Sequence, residues 1–144
     1  MKRSLAVLGR VRSIEKRVAR AEFAEAERAR RHQEERVDSV VNAIDASRLA
    51  ETLGAGGAQA LYVAHEYDHR IRLEESLRRE LGVLSRREAE SAERRQVLTE
   101  ADRSLRVVEL AILRYDEEEA LQARRADGRR LDDVAGVRWW RENR

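Results

Sequence analysis

Apolar side chains recur along this chain at alternating steps of four and three. Val7, Val11, Ile14, Val18 and Ala21 open the series, and the rhythm is that of a helix burying one narrow stripe against another. Between residues 22 and 36 the stripe thins to Phe23, Ala24, Ala26 and Ala29 among many charges. It resumes at Val37, Val40, Val41, Ile44 and Leu49 in a shifted phase, which predicts a stutter where the supercoil unwinds. Further on, Leu98, Ala101, Leu105, Val108, Ile112 and Tyr115 form an unbroken register. Leu77 and Leu84 share its seven-residue spacing, with Leu81 beside them.

One strong break separates these stretches. Gly54, Gly56 and Gly57 fall within four positions, and each costs a helix roughly 1 kcal/mol relative to alanine. Gly54 also suits the left-handed residue that closes a helix C-terminus. The expected fold is therefore all-α: two long helices in an antiparallel coiled-coil hairpin, one domain over residues 1–144. The first helix is expected at about 4–52, the turn at 53–58, the second helix at about 59–137 and a tail at 138–144. Such a fold brings residues 5–21 near residues 98–115 and leaves the second helix overhanging the first by roughly 20–30 residues, at 1.5 Å each.

Composition agrees with a rod-forming sequence more than with a compact core. Charged residues make up 40% of the chain and aromatic ones 4%, and proline and cysteine are absent. Ala, Glu, Arg and Leu dominate, all good helix formers. Absence of cysteine fits a reducing compartment. The apolar run after the basic opening spans only about five residues, short of a signal-peptide core, and none later nears the roughly 20 that a membrane span needs. A soluble, cytoplasmic protein is expected. Net charge is only +2, yet residues 1–20 hold seven Lys/Arg against one Glu, and residues 124–144 hold seven Arg against four acids. A hairpin gathers both basic ends at one pole.

Three features invite a chemical reading. His65-Glu66-Tyr67-Asp68-His69 matches the H-E-x-x-H pattern of zinc proteases, in which two imidazoles one helical turn apart hold the metal. The stripe made by Ala64, Tyr67 and Ile71 turns both histidines towards solvent, and no third ligand or sheltered cleft is evident. No metal, cofactor or small-molecule substrate is expected, and no catalytic residue. The pI of about 9.4 raises nucleic acid, but most arginines alternate with glutamates at helical spacing, the mark of a solvated or salt-bridging face. No nucleic-acid partner is expected. Trp139 and Trp140 point about 100° apart, so one stripe cannot bury both; they either plug the end of the coiled coil or form a docking patch beside Arg138 and Arg141.

Three blocks resemble the FliJ family of flagellar export proteins and their YscO-type counterparts in virulence systems. They are the heptad region 5–18, the run Leu61-Tyr62-Val63-x-x-x-Tyr67-x-x-x-Ile71, and Arg130-Leu131-Asp132-Asp133-Val134-Ala135-x-x-Arg138. Tyr67 stands where leucine is usual, Asp133 replaces glutamate, and the paired tryptophans are unusual. The resemblance implies a central-stalk protein of a type III export apparatus, monomeric, cytoplasmic and peripheral at the inner face of the cell membrane. Its implied partners are a hexameric export ATPase, the cytoplasmic part of an export-gate membrane protein, and export chaperones. By the same resemblance Arg10, Arg12, Leu131, Asp132, Asp133 and Arg138 contact the ATPase. Tyr62, Val63, Tyr67 and Ile71 contact the gate, although Tyr67 and Ile71 also read as coiled-coil core. The alternative is a general coiled-coil scaffold or homodimer, in which the thin stripe at 22–36 serves as a groove for another helix.

Overall fold

A computed structural model describes the backbone of residues 2–54 and 60–143 and the side chains of residues 2–49 and 64–143. Helix α1 spans Lys2–Gly54 and helix α2 spans Ala60–Glu142. The two pack on each other as a helical hairpin, and the described residues contain no strand. Most of the glycine turn, residues 55–59, lies outside the described residues. Helix α2 continues through both tryptophans to Glu142, where the sequence suggested a tail after Val137. Nothing after Val137 breaks a helix, since Arg, Trp and Glu all tolerate one.

The chain divides into two compact units. Residues 1–16 and 100–144 form one, and residues 17–99 form the other. In the first, α1 and α2 run antiparallel: the ammonium of Lys2 lies 2.9 Å from Asp116 and 3.1 Å from Glu119, and that of Lys16 lies 2.5 Å from Asp102. Sheltered positions on α1 include Leu5, Gly9, Arg12 and Lys16. They face Ala101, Leu105, Val108, Ile112 and Tyr115 of α2, the register read from the sequence.

The α1 register is different from the expected one. Val7, Val11 and Ile14 are 45–59% exposed and lie on the outer face of α1. The reason is volume. A Cβ on Gly9 would meet Ile112 Cδ1 and Val108 Cγ1, each at 3.7 Å, so the bulky residues of α2 fill space that only a small residue on α1 leaves open. A valine in that place would overfill it. The long stems of Arg12 and Lys16 line the seam while their charged heads reach water.

In the second unit Ala19, Phe23, Ala26, Arg30, Gln33, Val37, Val40, Ile44 and Ser47 are sheltered at strictly alternating steps of four and three. The stutter is therefore absent, because the shifted phase arose from counting the outward residues as seam. Val18 at 52%, Val41 at 37% and Leu49 at 63% exposure all face outward. Nor is the stretch 22–36 a vacant groove. Its seam is closed by small and polar residues, with Ala26 and Gln33 about as buried as Ile44.

Polar residues in that seam are satisfied. The amide nitrogen of Gln33 donates to the Glu80 backbone carbonyl at 3.0 Å and to its carboxylate at 2.5 Å, and Arg36 donates to the same carboxylate at 2.7 Å. Buried Ser91 donates to Glu27, and Arg94 bridges to Glu22 at 2.9 Å. No buried side-chain polar atom among the described residues lacks a partner. Polar seam layers of this kind fix register and orientation at some expense of stability.

Candidate functional site

Two stretches of α2 carry most of the residues expected to meet partners. The first is the end of α2. Lys2, near the start of α1, is level with Asp116 and Glu119, so residues past about 120 have no α1 segment beside them. Every residue from 120 to 142 except Gly128 is exposed. This unpaired helix carries Leu121, Leu131, Val134, Val137, Trp139 and Trp140, at 47–69% exposure. The tryptophans do not plug the coiled coil. Gly136 leaves a shallow notch on this helix, bounded by Asp132, Asp133, Val137, Trp140 and Arg141.

Of the residues expected to contact an ATPase, Leu131, Asp132, Asp133 and Arg138 all stand exposed on this overhang. Arg10 and Arg12 do not join them. Gly9 is level with Val108 and Ile112, which places Leu131 some 20 residues further along α2, roughly 30 Å at 1.5 Å per residue. Arg10 points outward, while Arg12 is half-sheltered and pairs with Glu15 at 2.7 Å.

The second surface lies near the start of α2. Tyr67 is 53% exposed and Ile71 37%, so neither belongs to the core. The seam there passes through Glu66, Arg70, Leu73 and Leu77 instead, and the stripe expected through Ala64, Tyr67 and Ile71 faces outward. Arg70 sits 5.4 Å above the Tyr67 ring, a cation–π contact on one face of the ring. The side chains of Tyr62 and Val63 lie outside the described residues. His65 and His69 are both exposed on the same helix. Among the described residues no group of three or more His, Cys, Asp or Glu is close enough to hold a metal.

Electrostatics follow the seam. Gln33 and Arg36 hold the Glu80 carboxyl below its usual range, Ser91 and Arg30 do the same for Glu27, and Lys16 for Asp102. The Lys2 ammonium donates to the carboxylates of Asp116 and Glu119, which pushes its pKa upward. None of these groups faces a cleft. The arrangement stitches helices together and offers apolar docking faces.

A family model described as the flagellar FliJ protein matches residues 1–144, the full chain. The chain belongs to the FliJ family. No curated protein and no solved structure matches it significantly. FliJ membership makes this a protein of the flagellar export apparatus, in a family of structural adaptors. No described helix is long and apolar enough to cross a membrane. The outward turn of Val7, Val11 and Ile14 escaped sequence reasoning. The small Gly9 between two valines was the available signal.

Proposed function

We propose that this chain is the central stalk of a flagellar export apparatus. The unpaired end of α2 enters a hexameric export ATPase, promotes assembly of its ring, and couples it to the export gate and to export chaperones. The observation that carries this reading is the overhang itself. A lone helix of about 20 residues with two glycines has little intrinsic stability in water, yet this one displays five large apolar side chains between residues 131 and 140. Burying each against a partner gains roughly 1.5 kcal/mol or more, which favours an occupied state in a ring lumen or comparable groove. Exposed tryptophans suit such anchoring.

Tyr67 and Ile71 supply the gate-facing contact in this reading, supported by their exposure in the second unit. The protein then works at the cytoplasmic face of the membrane as a peripheral component, acting by filling and coupling, with no catalytic group of its own. The test is ATP hydrolysis by the cognate export ATPase with added full chain or with residues 1–123 alone. The full chain is expected to stimulate and the truncated one to have no effect, circular dichroism confirming that its seam still folds. Normal stimulation by a folded truncation would refute the assignment.

A further inference from the structure

In the first unit α1 presents a second face with the spacing of a helix seam. Leu5, Gly9, Arg12 and Lys16 are the sheltered positions that face α2. About half a turn away, at 100° per residue, stand Val7, Val11 and Ile14, 45–59% exposed. They follow one another at steps of four and three. Leu8, 39% exposed, borders this stripe on one side. Arg3 and Arg10, one heptad apart, border it on the other, and the sequence repeats an arginine at the same heptad place with Arg17. Both Arg3 and Arg10 are exposed and stand outside every ion pair among the described residues. Residues 2–14 contain no acid, and the next residue, Glu15, is held by Arg12 at 2.7 Å.

We propose that this face is an open coiled-coil seam, and that its occupant is an α-helix of another protein with a heptad apolar stripe edged by carboxylates. Spacing selects a helix. Aliphatic side chains at four-and-three steps are knobs placed for the holes of a facing helix. A bilayer surface instead favours a broad face rich in aromatic and leucine side chains, and nucleic acid gains nothing from a row of valines. Charge selects the sign. Residues flanking a seam decide which helices pair, and unpaired arginines are best met by carboxylates opposite. A second copy pairing through the same face would set arginine against arginine. The outer face of α2 does not meet these criteria: at the same spacing Val107 and Leu110 lie between Arg103 and Arg114, so charge interrupts the stripe itself. Occupation of the α1 face leaves the overhang free, and the proposal does not depend on the stalk reading.

The probe is a fluorescent peptide of about three heptads with leucine at the seam positions and glutamate along both edges, which keep it from pairing with itself. A sister peptide carries lysine in place of glutamate. Each is titrated with the full chain at about 0.15 M salt and followed by anisotropy. The acidic peptide is expected to bind with a Kd on the order of 100 µM, since few side chains meet, and the lysine peptide at least roughly tenfold more weakly. Arg3→Glu combined with Arg10→Glu is expected to reverse that preference. Ile14→Asp is expected to weaken acidic-peptide binding about tenfold or more, because it places a charge in the stripe. Arg103→Glu combined with Arg114→Glu, on the far side of α2, should change it by no more than about twofold, at distances that salt screens. Circular dichroism checks that each variant keeps its helix. No binding of the acidic peptide, equal binding of both peptides, or binding that ignores Ile14→Asp or the α1 charge reversals would overturn the proposal.

Discussion

Gly9→Ala should stabilise the hairpin. Glycine in a helix interior costs about 1 kcal/mol relative to alanine through backbone entropy. At Gly9 a further gain arises, because the new methyl would stand 3.7 Å from both Ile112 Cδ1 and Val108 Cγ1, an ordinary contact distance needing no rearrangement. One buried carbon contributes about 0.8 kcal/mol, for a total of about 1.8 kcal/mol. In a chain of this size that amounts to roughly 5–7 °C in melting temperature. Gly82→Ala is the internal reference: a Cβ there meets nothing within 4 Å, so only the propensity gain of about 1 kcal/mol applies. Thermal and urea unfolding followed by circular dichroism measures both. If Gly9→Ala gains no more than Gly82→Ala, position 9 does not face α2. If it destabilises, the seam is tighter than described and the volume reasoning fails.

Two further outcomes follow from the same seam. Ile14→Asp is expected to shift unfolding by no more than about 0.5 kcal/mol, the usual range for surface substitutions, whereas Val108→Ala, at 7% exposure, should cost about 2 kcal/mol. A severe loss in Ile14→Asp would restore the stripe read from the sequence. The second outcome concerns pH. Glu27, Glu80 and Asp102 have lowered folded pKa values, so their contribution is complete above the unfolded values and is lost as pH falls through the folded ones. Melting temperature should therefore decline on acidification below about pH 5, less steeply in Glu80→Gln. An identical slope in that variant would show that Gln33 and Arg36 do not act through the Glu80 charge.

How much of this was legible in the sequence depends on which helix is considered. On α2, Leu105, Val108 and Ile112 are large and regularly spaced, so periodicity alone sets their register, and the glycine cluster marks the chain reversal. On α1 the same reasoning chose the wrong face between residues 7 and 18. Hydrophobic periodicity ranks positions by side chain and ignores what stands opposite. Here Gly9 complements Val108 and Ile112, and the aliphatic stems of Arg12 and Lys16 stand in for apolar residues. The polar seam was hidden for a related reason, since Gln33 and Ser91 are tolerated only because Glu80 and Glu27 accept their hydrogen bonds. The overhang followed from helix lengths. Exposure of Tyr67 and Ile71 did not, because an outward apolar stripe and a seam share one spacing.

The stalk assignment is tested most directly by where a photoreactive residue makes covalent contact. With benzophenone-alanine placed at Val134 in cells building flagella, irradiation should join the chain to the export ATPase. At Tyr67 it should join the export-gate protein and leave the ATPase unmodified. Capture of the ATPase from Tyr67 and not from Val134 would contradict the polarity proposed for the hairpin, and capture of neither protein from either position would contradict the stalk itself.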